Sequence, residues 1–200
     1  MDFPKDLPER LKQLDHAGRL APAGLVFLGL MDLELPLIPP SLANMATGYQ
    51  QRLGKCQIAT VGRDAPDYLT KANDSWFELS RAGGLFDDSG EFLLTVPLDE
   101  QRRDLWWARV RLADTWDLMG AGSAAELGLG FGEPEFTALS VTGDVVAFCA
   151  SHESAIITTL AAGFADLADL RQHAEWVASQ RRMSRQEKEA ARRWLDATGG

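Results

Sequence analysis

Cys149-Ala150-Ser151-His152-Glu153 places a thiol, an imidazole and a carboxylate within five residues. A thiolate beside an imidazole can serve as a nucleophile with its base, and the start of a helix lowers a thiol's pKa. A structural reading competes with this one. Cys149 continues the apolar run Val145-Val146-Ala147-Phe148 as a small buried hydrophobe, Ser151 or Ser154 can cap a following helix, and Glu153 suits that helix's first turn. Cysteine nucleophiles generally draw their histidine from a distant part of the chain, which favours the structural reading. Adding His173 does not make a metal site. It stands 21 residues beyond His152, roughly 30 Å away along a continuous helix. No metal or other cofactor is expected.

Other candidates are fewer still. Gly83-Gly84 and Gly128-Leu129-Gly130-Phe131-Gly132 lack the strand–glycine loop–helix order and the lysine of a phosphate cradle, so they read as turns. Asp87, Asp88 and Glu91 are a partial set of oxygen ligands without the twelve-residue calcium loop, and read as a solvated hairpin tip. Adjacent Trp106 and Trp107 cannot point the same way; one of them partly exposed beside Arg109 and Arg111 would make a binding hot spot, and core packing with cation–π shielding explains the same residues about as well. Asp87, Asp88, Glu91, Trp106 and Trp107 are therefore the candidate partner-binding residues. Cys149, His152 and Glu153 are the catalytic alternative.

The elements that would carry these groups follow from periodicity. Phe3, Leu7, Leu11 and Leu14 share a helical face, and Leu25 to Leu35 reads as a strand. A helix is expected from Ser41 to about Leu53, ended by Gly54, followed by a short buried strand over Cys56 to Val61. Ser75 to Leu79 and Phe92 to Val96 read as strands. Leu105 to Met119 fits either period, and its fifteen residues before Gly120 favour a helix. Gly120 to Gly132 reads as a loop. Phe136 to Val141 and Val145 to Phe148 form a hairpin about Thr142-Gly143-Asp144. Ile156, Leu160, Phe164, Leu167, Leu170, Ala174 and Val177 then predict one long amphipathic helix near 154–180. Trp76, Trp116 and Trp176 fall near core positions. Ser184-Arg185-Gln186-Glu187 has the form of a capping box, opening a last surface helix to about Asp196.

Strands in the middle and helices at both ends, without regular alternation, predict an α+β fold, mainly an antiparallel sheet flanked by helices. The expected organisation is a single domain over 1–183 with a C-terminal helical appendage over 184–200. Two isolated cysteines suit a reducing, cytoplasmic setting. The apolar run Leu20 to Leu42 is broken by Asp32, Glu34, Pro36, Pro39 and Pro40, so it is no membrane span. Residues 171–200 carry seven basic and four acidic side chains, a tail of +3, so with the chain at −9 the rest is −12. Such a body repels nucleic acid and attracts a basic partner.

Gly143-Asp144-Val145-Val146-Ala147-Phe148 followed by Ile157, Leu160, Phe164 and Leu167 resembles the C-terminal end of the SUKH superfamily, the SMI1/KNR4-like proteins, over about 45 of 200 residues. The resemblance implies an α+β fold and, for bacterial members, an immunity protein that blocks a cognate toxin, often a nuclease. No functional residue is carried over. The leading expectation is a non-enzymatic cytosolic protein-binding module, of the immunity type, whose acidic body covers a basic, toxin-like protein. The alternative is a small enzyme of unrecognised class using Cys149 and His152.

Overall fold

The computed structural model describes residues 14–101 and 104–199, and the expected helix over Phe3 to Leu11 lies outside them. A short helix α1 (His16–Leu20) leads into strand β1 (Leu25–Leu30). Helix α2 (Pro40–Arg52) follows, then β2 (Gln57–Gly62), α3 (Tyr68–Ala82), β3 (Glu91–Pro97) and β4 (Leu105–Leu112). A π-helical turn (Leu118–Gly122) runs into α4 (Ser123–Ala125) and the short strand β5 (Gly128–Gly130). Strands β6 (Glu133–Leu139), β7 (Val145–Ser151) and β8 (Ala155–Ala162) precede helices α5 (Ala168–Ser179) and α6 (Arg185–Thr198). The sheet runs β1-β4-β3-β6-β7-β8-β2 with β5 attached to β6, and every pairing is antiparallel. The fold is α+β, an antiparallel sheet flanked by helices.

Register divides the sheet into two faces. Phe92, Leu94, Trp106, Ala108, Phe136, Ala138, Ala147, Cys149 and Leu160 fall on one face through the pairs Leu94↔Ala108, Leu94↔Ala138, Phe136↔Cys149 and Ala147↔Leu160. Helix α3 and the π-helical turn cover it. The Trp76 ring lies 5.9 Å from Phe92, 6.0 Å from Phe136 and 6.1 Å from Trp116, a tilted and edge-on cluster in the geometry aromatic quadrupoles favour. The other face carries Thr95, Trp107, Thr137, Leu139, Val146 and Phe148, and packs against α2.

The hairpin β6–β7 turns at Gly143, whose φ of 83° suits glycine. The expected long helix does not begin at Ile156. Residues 155–162 form β8, because Ile156-Ile157-Thr158-Thr159 is a β-branched run. Both faces of β8 are largely covered, so its apolar positions show no clean alternation and imitate a helical stripe. Gly163, at φ 61°, ends it, and the helix is confined to Ala168–Ser179 with Leu170, Ala174 and Val177 inward. Trp176 points out and is 51% exposed, against its expected core position.

Three further expectations are corrected. Ser75 to Leu79 lies within helix α3, whose buried Ala72, Asn73, Trp76 and Ser80 recur at helical spacing. Leu105 to Leu112 is a strand, not a helix. β4 lies between β1 and β3, and although Leu105 and Arg111 are exposed, Trp106 and Trp107 point oppositely and are both buried, each on its own face. The strand expected at Cys56 to Val61 exists as β2, but at the sheet's edge and largely exposed.

The expected loop at Gly120 to Gly132 holds the π-helical turn, α4 and β5. Asp117 caps that turn, accepting from Gly120 N and Ala121 N at 2.8 Å each. Asn73 on α3 donates to Asp117 at 2.8 Å while its own Oδ1 accepts from Leu118 N at 3.0 Å and Met119 N at 3.2 Å.

Helix α6 opens on Ser184, whose Oγ accepts from Glu187 N at 3.1 Å, the bond anticipated from the capping box. It buries Ala190, Ala191 and Trp194 and packs on α5. Arg171 reaches across to Thr198 Oγ1 at 2.7 Å, Arg192 to Ala178 O at 2.9 Å and Arg193 to Glu34 at 3.2 Å.

Candidate functional site

On the sheet face shared with α2 and α6, a cleft of about 520 Å³ opens where the two helices begin. Its floor is the strip Thr95, Leu105, Glu135, Thr137 and Phe148, brought onto one face by the register of β3, β4, β6 and β7. Thr95 Oγ1 donates to Thr137 O at 3.3 Å, tying two floor strands together. Pro39, Pro40, Ser41 and Asn44 of α2 form one wall, and Met183, Ser184, Gln186 and Glu187 of α6 another. Pro40 occupies the first turn of α2, where its missing N–H costs nothing.

Three carboxylates line the cleft and no lysine or arginine does so among the described residues. Glu187 is committed. It accepts a short hydrogen bond from Ser41 Oγ, joining the first turns of α6 and α2, where both helix dipoles favour negative charge. Asp104 is half-buried and Glu135 exposed, and neither carboxylate has an ion-pair partner among the described residues. Unpaired carboxylates over a floor of threonines and one phenylalanine suit a cationic, hydrogen-bonding group.

The structure separates the residues of the catalytic alternative. Cys149 is fully buried on the opposite, aromatic face, its Sγ 3.6 Å from Met119 Sδ. Burial pushes its thiol up to about 12, with a hydrogen bond to Thr158 opposing only weakly, so the thiolate is essentially absent near neutrality. His152 and Glu153 lie exposed in the β7–β8 turn, where His152 N donates to Ala155 O at 2.7 Å. The helix N-terminus that was to activate the thiol is instead the start of a strand. Among the described residues no three His, Cys, Asp or Glu side chains come together to hold a metal ion.

Nor do the five expected partner-binding residues form one surface. Trp106 and Trp107 are both interior, their indole N–H groups donating to Met31 O at 2.9 Å and Ile38 O at 2.7 Å. They anchor the extended segment before α2 rather than offering an exposed hot spot. Asp87 organises its turn, accepting from Ser89 N at 2.8 Å and Glu91 N at 2.9 Å. Arg109 pairs with Glu91 at 2.5 Å and with Asp87 at 3.7 Å. Asp88 alone of that group stays exposed without such a contact.

Asp104 and Glu135 were not singled out by sequence, and Glu187 was read only as part of a helix cap. Glu135 and Thr137 alternate with buried Phe136, which marks a strand face but not a cavity. Ser41 and Glu187 meet across 146 residues, beyond any local pattern. No family model matches the chain, and neither a curated protein nor a solved structure matches it.

Proposed function

We propose that the chain is a non-catalytic binding protein that takes a basic group of a protein partner into the cleft between α2, α6 and the sheet. The observation that carries this reading is the pair of carboxylates, Asp104 and Glu135, that have no ion-pair partner among the described residues, in a concave site with no lysine or arginine among its described lining residues. The net charge of −9 supports it, since a negative field steers a cationic partner toward such a site. Separation of the buried Cys149 from the exposed His152 counts against the enzyme reading. The narrower form, an immunity-type inhibitor of a basic toxin, adds the SUKH resemblance of the 143–167 region. That form has to accommodate Ile157 and Leu160 on a strand rather than a helix.

Isothermal titration with short polyarginine and polylysine peptides tests it, with polyglutamate as control. Binding is expected for the cationic peptides, weakening as salt screens the charges, and is expected to be lost in the Asp104→Asn, Glu135→Gln double variant. Absence of binding by wild type, or equal binding by the double variant, refutes the cleft as the site.

A further inference from the structure

The two ends of the sheet are built differently. β1, at one end, shifts register between Phe27 and Gly29, an irregularity that spoils an edge for further pairing. β2, at the other, pairs with β8 in unbroken register over six residues, Gln57 to Gly62, containing no charged residue and no proline. Of the usual devices that blunt an edge strand, the six residues carry neither charge, proline nor bulge. Arg63 N donates to Ser154 O at 2.9 Å, which extends the β2–β8 register by one pair. By antiparallel alternation Val61, Ala59 and Gln57 also direct their N–H and C=O to β8, leaving those of Gly62, Thr60, Ile58 and Cys56 pointing outward, with Gly62 O already accepting from Ala65 N at 3.3 Å. Ile58 is 47% exposed on this edge and Leu53, shortly before it, 56%.

We propose that two copies of this chain pair through β2, antiparallel about a two-fold axis, to continue the sheet from one protomer into its partner. The asymmetry of the edges selects this arrangement. Pairing β2 with β1 would be head-to-tail and open-ended, and the β1 irregularity disfavours it, whereas β2 with β2 closes after two copies. A two-fold normal to the sheet requires each residue to meet one of the same face, so the registers that pair most of Gln57–Gly62 are centred on Ala59 or on Thr60. Centring on Ala59 sets Lys55 opposite Arg63, two like charges. Centring on Thr60 sets Thr60 against Thr60 and Ile58 against Gly62, and keeps the pairing within the strand, since Asp64 lies in the turn that Ala65 N closes on Gly62 O at 3.3 Å. The outward groups of Thr60 then form the central hydrogen-bonded pair.

Sedimentation velocity of the full chain over the micromolar range decides the matter. Wild type is expected to sediment as a dimer. Thr60→Pro, which deletes an N–H its own sheet does not use, is expected to sediment as a monomer with unchanged far-ultraviolet circular dichroism. Thr60→Lys, a charge on the edge, is the second variant should the proline disturb folding, with the same result expected. A monomeric wild type, an open-ended polymer series, or a dimer that survives both substitutions overturns the proposal. Register is read separately in a Cys56→Ser background. Thr60→Cys should cross-link two chains under mild oxidation, since a hydrogen-bonded pair has Cα atoms about 5.5 Å apart, within disulfide reach. Ile58→Cys should not, and the reverse preference overturns the Thr60-centred pairing.

Discussion

Asn73→Ala is expected to cost more stability than its size suggests. The side chain is 8% exposed, so alanine leaves little cavity, but three hydrogen bonds go with it. Leu118 N and Met119 N belong to residues almost wholly buried; Leu118 N loses its acceptor, while Met119 N keeps only its bond to the Asp117 carboxylate. Each orphaned buried donor costs about 1–3 kcal/mol, and a hydrogen bond to a charged group is worth about 1.5–3 kcal/mol net. Allowing for relaxation of the π-helical turn, the expected loss is about 3–5 kcal/mol, near the upper limit for one substitution. Urea unfolding at neutral pH, followed by tryptophan fluorescence, measures it. A loss under about 1 kcal/mol would show that the turn finds other partners and that the Asn73–Asp117 junction does not hold it. Acid gives an independent check. Burial tends to raise the Asp117 carboxyl, but bonds from Ala121 N, the Asn73 amide, Gly120 N and Met119 N outweigh it and hold the carboxyl below its ordinary 3.8. A lowered folded-state value contributes stability that is present above the unfolded value and lost as pH falls through the folded one. In wild type that contribution should therefore fade only below about pH 4, the ordinary carboxylate range, and Asp117→Asn should remove it.

Cys149 should resist iodoacetamide in the native protein at neutral pH while Cys56, half-buried beside the sheet edge, reacts; peptide mapping that finds rapid labelling of Cys149 would revive the thiol–imidazole alternative. Phe164→Ala should destabilise by about 3–5 kcal/mol in urea, because the ring is 1% exposed in the link between β8 and α5. A change under about 1 kcal/mol would place the ring outside the core. Trp194→Ala should cost a similar amount and release α6, seen as loss of hydrogen-exchange protection over 185–198; retained protection there would mean that the arginine contacts alone hold the helix.

The parts of the fold legible in the sequence are those where one signal had no rival. The Gly143 hairpin, the capped start of α6 and the span of α2 up to Gly54 all follow from local chemistry. Errors fell where burial on both sides erased the period. β8 is largely covered on both faces, so Ile156 and Leu160 fitted a helical stripe with Phe164 as well as a strand, and in β4 the buried run Trp106-Trp107-Ala108 left Leu105 to Leu112 fitting either. Tertiary context decided both in favour of strand. Helix α3 was misread because Trp76 and Phe77 carry β-like propensity, whereas the inward spacing of Ala72, Asn73, Trp76 and Ser80 was the better guide. The cleft lay beyond local reading altogether, since its walls come from residues near 40, 104, 135 and 185.

The division of the sheet into two faces constrains function more tightly than any single residue. Phe136 and Cys149 form one cross-strand pair and Thr137 and Phe148 the next, so the thiol and the cleft floor are neighbours along the chain yet stand on opposite sides of the sheet. Opening α6 or shifting α2 would enlarge the cleft without bringing Cys149 nearer. Only a one-residue slip of β7 against β6 could do that, and such a slip would exchange every inward side chain of the strand, setting Val146 and Phe148 against the Trp76 cluster and carrying Ala147 and Cys149 out of it. The cost of that rearrangement makes the thiol a permanent member of the aromatic core. Among the described lining residues the cleft is furnished by the carboxylates of Asp104, Glu135 and Glu187, the hydroxyls of Ser41, Ser184 and the two threonines, and the amides of Asn44 and Gln186, a set able to hold a cation by charge and hydrogen bonds and containing no thiol and no imidazole.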